Sequence, residues 1–199
     1  MNRSLAIYLA KQPNVAVSFL VPSCSEEDKR MSRNHKVMIF EAQQRPGFDP
    51  IDCLTFPRKD IKIDVVIGHG VKLGKQAQII RESHNCKWVQ VVHTAPEELA
   101  MFKTYSGAIS IGEAKYSTEV LKLCEMADVV VAVGPKLFEV YSAYLSSSQK
   151  FVFNLTPGIF TEFCPLKRSS LDGNKFRILV FGRGDSEDFE LKGFDIAAE

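Results

Sequence analysis

The feature that most constrains the fold of this chain is the alternation of short apolar runs with amphipathic segments. The runs Val15–Val21, Asp64–Gly68 and Asp128–Val133 are rich in β-branched residues and have the length of strands. Their apolar residues are consecutive rather than alternate, which is typical of strands buried on both faces. Because helical segments follow them, we predict an α/β fold with a doubly wound, mainly parallel, Rossmann-like sheet.

The remaining elements follow from the same patterns. Further strands are predicted at Lys36–Glu41, Trp88–Val92, Phe151–Leu155 and Arg177–Phe181. Helices are predicted at Arg3–Lys11, after Ser25, at Val71–Glu82, at Glu113–Met126 and from Pro135. A doubly wound sheet usually begins with a strand and a glycine-rich turn. This chain begins on a helical pattern, so we expect the first strand of the sheet to be missing.

Composition excludes several classes of protein. The 199 residues carry 25 Lys+Arg against 24 Asp+Glu, a formal net charge of +1, so no basic field exists for non-specific nucleic-acid binding. No apolar segment approaches the roughly 20 residues of a membrane span, and no signal peptide is evident. The five cysteines are scattered without CxxC spacing, which argues against a zinc or other metal site and against a disulfide framework. We therefore expect a cytoplasmic protein.

The domain organisation is uneven. Residues 1–164 are predicted to form the Rossmann-like domain. Residues 165–175 are polar and contain Ser and Gly, so they are interpreted as a linker. Residues 176–199 contain one strand and a helix start, which we interpret as the beginning of a truncated second domain.

Two histidines follow predicted strands directly. His69 comes after the run DVVIG, and His93 comes after WVQVV. Ligands of doubly wound sheets bind at the carboxyl ends of the strands, where an imidazole can donate to a hydroxyl or a phosphate. A structural role, such as bonding a loop carbonyl, is the alternative. Gly70, Thr94 and Gly134 are expected to line the same cleft.

Two other patterns have competing interpretations. Gly68, Gly70 and Gly74 imitate a dinucleotide-binding loop, but the spacing GxGxxxG is not GxGxxG, so a close turn explains them equally well. Arg183 and Lys192 flank a predicted helix start, where cations could hold a diphosphate. Four acidic residues lie between these cations, which also fits a solvated charged loop: Asp185, Glu187, Asp188 and Glu190.

Several segments in order resemble one family. They are NRSLAIYLAK (2–11), DVVIGHG (64–70), VVHTAPEE (91–98), ADVVVAVGPKL (127–137), NLTPGIFTEFCP (154–165) and ILVFGRG with LKGFD (178–195). The series is similar to the retaining GT-B glycosyltransferases of family 4, the glycogen-synthase-like and sucrose-synthase-like group. It extends over nearly the whole chain.

The resemblance implies specific roles. In that family two Rossmann-like domains face a cleft: the N-terminal domain mainly binds the acceptor, and the C-terminal domain binds a nucleotide-sugar donor. His93 would match the active-site histidine that contacts the donor sugar, and Arg183 with Lys192 would match the pair that holds its diphosphate. His69 would face the cleft. The nucleotide-sugar is a substrate, so no cofactor is implied.

The function expected from the resemblance is sugar transfer with retention, carried out by a longer parent enzyme. The family's glycine-rich loop and paired donor-side glutamates have no counterpart here, so this chain alone is expected to be inactive. The alternative is a non-catalytic binding or regulatory module. Expected partners are a nucleotide-sugar, an acceptor, the missing C-terminal domain and, through exposed sheet edges, other copies of the chain.

Overall fold

A computed structural model describes residues 2–95 and 118–158, together with the single position Ile196. The predicted linker, the strand Arg177–Phe181, Arg183 and Lys192 therefore lie outside the described residues. So does the predicted helical segment 113–117.

The described residues alternate helices and strands in the predicted order. The strands are β1 (Val17–Val21), β2 (Val37–Glu41), β3 (Val65–His69), β4 (Lys87–Val92), β5 (Val129–Val133) and β6 (Val152–Leu155). The helices are α1 (Asn2–Leu9), α2 (Glu26–Asn34), α3 (Gly70–His84), α4 (residues 118–126) and α5 (Pro135–Tyr144). Short 3-10 turns occupy Asp52–Thr55 and Ser146–Ser148. None of the helices in the described ranges is long and apolar enough to cross a membrane.

All strand pairs among the described residues are parallel, which confirms the predicted α/β, Rossmann-like class. β3, β4, β5 and β6 form a four-stranded sheet in that order. β1 and β2 pair with each other in a second sheet of two strands. Within the described residues, β1 and β3 are therefore not hydrogen-bonded neighbours.

Local sequence explains where two helices begin. Ser25 caps α2 through a reciprocal pair of bonds with Asp28, which satisfies amide groups that the first turn leaves without helical partners. Pro135 starts α5, a position that needs no backbone N–H. Both starts confirm the sequence predictions.

The main core lies between the four-stranded sheet and helices α3, α4 and α5. Residues at even positions of the strands point into it, including Trp88, Val92, Val130 and Ala132, and Tyr141 of α5 packs against them without exposure to solvent. Continuous burial of this face, at about 25 cal/mol per Å² of apolar surface, holds the sheet and its helices together. The carboxyl ends of β3 and β4 are thereby set on a rigid base.

A smaller apolar cluster joins the two sheets. Cys53 and Leu54 of the first 3-10 turn are buried against Leu20 of β1 and Leu73 of α3. The Gln76 side-chain amide of α3 donates to Asp52 Oδ1 at 3.2 Å. Through this turn, the two-stranded sheet is attached to α3, the helix that begins at Gly70.

Candidate functional site

The carboxyl edge of β3 and β4 brings the two predicted histidines together. His69 ends β3 and precedes α3, and it lies beside Val91 in the parallel pairing of β3 with β4. His93 follows Val91 by two residues. Side chains two residues apart along a strand leave on the same face, so both imidazoles emerge on one side of this edge.

The two imidazoles make direct contact. His69 Nδ1 and His93 Nε2 are 2.8 Å apart, which is a hydrogen-bond distance for two ring nitrogens. The ring planes differ by 14°, and the ring centroids are 5.1 Å apart. His69 is half-buried, whereas His93 is exposed. The pair is therefore accessible to a ligand at the sheet edge through His93.

Partial desolvation at this edge lowers the pKa of both rings. Desolvation, with a smaller contribution from the neighbouring His93, lowers the pKa of His69 to about 4 from its ordinary 6.5. Desolvation also lowers the pKa of His93. Both imidazoles are consequently neutral at pH 7, and the pair acts there through hydrogen bonds rather than through charge.

Gln90 of β4 fixes the chain just after His69. Its side-chain Nε2 donates to the carbonyl oxygen of Gly70 at 2.7 Å, and the side chain is fully buried. Gly70 has φ +57°, in the left-handed region that glycine adopts without strain. This conformation turns the chain directly from β3 into α3, and Gln90 holds the turn in place.

Tyr141 of α5 performs a similar task for the loop after His93. Its hydroxyl donates to the carbonyl oxygen of Thr94 at 3.0 Å, and its ring is fully buried in the main core. Thr94 is thus tied to α5, which packs on β5 and β6. His69 and His93 are each followed by a residue whose carbonyl is bound by a buried side chain.

The glycines at positions 68 and 74 allow close packing of α3 on the sheet. A Cβ on Gly68 would lie 2.8 Å from the Cβ of Ala77, and a Cβ on Gly74 would lie 2.8 Å from Gln90 Oε1. Both distances are shorter than atoms tolerate. α3 therefore approaches β3 and β4 closely, and the space over these glycines accommodates Ala77 and the carboxamide of Gln90.

Gly134 lies at the same edge of the sheet, after β5. It has φ +96° and precedes Pro135, and its amide donates to the carbonyl oxygen of Leu155 at 2.9 Å. The residues predicted to line the cleft thus lie where strands end at this edge: His69 ends β3 and Gly70 follows it, Thr94 comes after β4, and Gly134 follows β5. Their contact with a ligand stays a prediction.

The opposite, amino edge of the sheet carries a charge network. The Asp128 carboxylate accepts from the backbone amide of Trp88 at 2.9 Å, from Arg81 Nε at 3.0 Å and from Lys87 Nζ at 3.3 Å. Its hydrogen bond with Arg81 is the largest cause that lowers the pKa of Asp128 to about 2. Because it clamps α3, β4 and the start of β5, we interpret this network as structural.

Gln90, Tyr141 and Asp128 were not singled out from the sequence. The sequence around Gln90 could have predicted its role, since Gln90 is one polar residue inside the otherwise apolar run WVQVV. A polar side chain in a buried strand must find a hydrogen-bond partner. Tyr141 and Asp128 had no comparable indication, because a tyrosine in a helix and an aspartate before a strand are ordinary at the surface.

The fold and this edge together define a Rossmann-like domain. Its polar residues lie at the carboxyl edge of the sheet, where ligands of such domains bind. Compared with known families, residues 1–199 match the family described as "GT4-conflict: Family 4 Glycosyltransferase in conflict systems". The match spans the whole chain, and the protein belongs to this family. The resemblance to family 4 glycosyltransferases is confirmed, and the protein is glycosyltransferase-like. No curated protein matches the chain significantly.

Proposed function

We propose that this chain forms the acceptor-side domain of a retaining GT-B glycosyltransferase that uses a nucleotide-sugar donor. The observation that carries the proposal is the His69–His93 contact at the carboxyl edge of a parallel sheet in a family 4 member. Ligands of open parallel α/β sheets bind outside this edge. In the proposed role His93 contacts the donor sugar, and His69 supports it.

The protonation state of the pair is suited to sugar hydroxyls. Neutral imidazoles donate and accept hydrogen bonds without placing charge on the ligand. A donor diphosphate needs cations instead, because the two imidazoles are uncharged at pH 7. We propose that Arg183 and Lys192 supply those charges and stabilise the leaving diphosphate as the glycosidic bond to the nucleotide breaks.

The proposed partners are a nucleotide-sugar, an acceptor and a donor-side domain. The family is described as family 4 glycosyltransferases in conflict systems. We propose that the reaction of this protein belongs to that setting as well. Other copies of the chain are a further proposed partner through β3, the end strand of the four-stranded sheet within the described residues.

The test is a transfer and binding experiment on the protein that carries this chain. It is incubated with a panel of nucleotide-sugars, and release of nucleoside diphosphate is measured together with imidazole NMR signals. We expect one donor to shift the His69 and His93 signals and to be hydrolysed or transferred. His93→Ala should lower turnover at least tenfold, and Arg183→Ala should weaken donor binding.

An exposed histidine provides the matched control. His35 follows α2, away from the sheet edge, so His35→Ala should leave turnover and binding unchanged. If donors bind at the histidines without release of nucleoside diphosphate, the non-catalytic binding module is favoured over the transferase. If no nucleotide-sugar shifts either imidazole signal, the proposed site is wrong.

A further inference from the structure

We propose that His69 and His93 share a single proton in an N–H···N bond and act as one unit, with His69 as the positioning residue that sets the tautomer of His93. The inference rests on the proposed function only for the identity of the ligand. The hydrogen bond itself is a property of the free protein and is tested without any ligand.

The ring geometry is that of an in-plane bond. The centroid separation of 5.1 Å exceeds the 2.8 Å between the nitrogens by the two centroid-to-nitrogen distances. That sum is reached only when both nitrogens lie on the line between the ring centres. An imidazole N–H points away from its ring centre, and a bare nitrogen's lone pair does the same. With planes only 14° apart, the rings meet edge to edge in a nearly linear bond.

The bond couples the two tautomers. If His69 Nδ1 donates, His93 must hold its own proton on Nδ1, and His69 Nε2 is left bare. If His93 Nε2 donates, His69 holds its proton on Nε2, and His93 Nδ1 is left bare. In both arrangements the two remaining nitrogens are one donor and one acceptor. Within the described part of the chain, no hydrogen bond from another residue occupies either of them.

A donor and an acceptor on adjacent rings define a class of ligand. A hydroxyl both donates and accepts, so one hydroxyl or two neighbouring hydroxyls can satisfy both nitrogens at once. A phosphate oxygen only accepts and would leave the bare nitrogen facing an anion. The pair therefore selects a neutral, hydroxyl-rich group, because its two remaining nitrogens comprise one donor and one acceptor.

The direct test is a scalar coupling across the hydrogen bond. In the ligand-free, uniformly ¹⁵N-labelled protein at pH 7, we expect an N–N coupling between His69 Nδ1 and His93 Nε2. We also expect one of these nitrogens to be protonated and the other bare. Absence of the coupling, in a folded sample where both rings are assigned, would overturn the inference.

A substitution separates positioning from packing. His69→Phe keeps an aromatic ring but removes the nitrogen, so His93 should lose its preferred tautomer and show averaged ring ¹⁵N shifts. His84→Phe, at the far end of α3, is the control and should leave His93 unchanged. His93 shifts that stay at their native values in a folded His69→Phe protein would contradict the inference. The coupling measurement stands if that variant does not fold.

Substrate experiments keep the two proposals distinguishable. Addition of a free monosaccharide should change the ¹⁵N chemical shifts of the His93 ring more than the same concentration of inorganic phosphate does. If phosphate moves them more, the ligand class is wrong. An intact N–N coupling with no response to any nucleotide-sugar would leave the shared proton standing and contradict only the proposed transferase.

Discussion

At the scale of single residues, the environment of a titratable group decides what it can do. His69 and Asp128 lie at opposite ends of the sheet and are perturbed for different reasons. Burial at the carboxyl edge disfavours the charged form of His69, whereas Arg81 at the amino edge favours the charged form of Asp128. The first shift keeps a ring neutral for hydrogen bonding, and the second strengthens the scaffold.

The lowered pKa of His69 predicts a specific pH dependence of stability. Between pH 6.5 and about 4 the unfolded chain binds a proton on this ring and the folded chain does not. Protonation therefore favours unfolding, and the free energy of unfolding should fall as the pH drops through that window and level off below it. Urea denaturation across this range measures the effect.

Variants isolate the contribution of the pair. His69→Phe should make the curve of unfolding free energy against pH shallower between pH 6.5 and 4. An equal slope in His69→Phe and the native protein would show that the ring is not kept neutral by the fold.

Asp128→Asn is expected to lower the free energy of unfolding by about 1–2 kcal/mol at pH 7. The substitution leaves Arg81 and Lys87 without their anionic partner, and it weakens the hydrogen bond from the Trp88 N–H. The Asp128 side chain is only 21% exposed. The control is Asp60→Asn, which breaks a pair with Arg58 in which Asp60 is 63% exposed. Exposed pairs contribute little, so its chemical denaturation midpoint should barely move. Equal midpoints for the two variants would contradict the structural role of Asp128.

At the scale of elements, close packing of α3 on the sheet determines where the site lies. α3 begins directly after His69, and its glycines and alanine let it approach β3 and β4. Gln90 and Tyr141 then tie the two strand ends to the surrounding elements. A change in the distance between α3 and the sheet is therefore expected to alter the contact between His69 and His93.

Gly68→Ala tests this packing. The new methyl group would lie 2.8 Å from the Cβ of Ala77 and 3.0 Å from the carbonyl oxygen of Leu73. Neither atom is at the end of a flexible side chain, so α3 must shift. We expect a loss of about 1–3 kcal/mol in the free energy of unfolding, as for other overpacked sites.

The matched control is Gly158→Ala, because no atom lies within 4 Å of the added Cβ at that position. Chemical denaturation should show little change for this variant, and the His69–His93 coupling should persist. If Gly68→Ala is as stable as Gly158→Ala, close approach of α3 does not constrain the site.

At the scale of the whole molecule, β3 is the end strand of the four-stranded sheet among the described residues. Val65 is 52% exposed and Ile67 is 39% exposed, and both lie on the same face of this strand. An end strand with apolar residues is a template for pairing with another chain. Self-association through this strand stays a prediction.

Ile67→Lys should reduce that association, because a charge on an end strand disfavours edge-to-edge pairing. Light scattering over a range of concentrations should show a smaller average mass than for the native chain. Met31→Lys, at an exposed position of α2, is the control and should behave as the native chain does. A native chain that is already a monodisperse monomer with a cooperative melt would contradict the prediction.

Much of the fold follows from local patterns. Consecutive β-branched residues predicted β1, β3 and β5 to within two residues, because branching at Cβ favours extended backbone. Ser25 and Pro135 marked helix starts for reasons confined to one turn. The division of strands into two sheets was not predicted, since strand order depends on pairing between distant segments.

The sequence by itself determined the class of fold and the edge at which His69 and His93 emerge, since apolar continuity and the position after a strand are local properties. Tertiary structure alone decided that His69 Nδ1 meets His93 Nε2, and that Gln90 and Tyr141 hold the flanking loops. The register of β3 on β4 sets the His69–His93 contact, and packing of α5 sets the bond from Tyr141 to the loop after His93. Both join residues far apart in the chain, and no local pattern encodes such a distance.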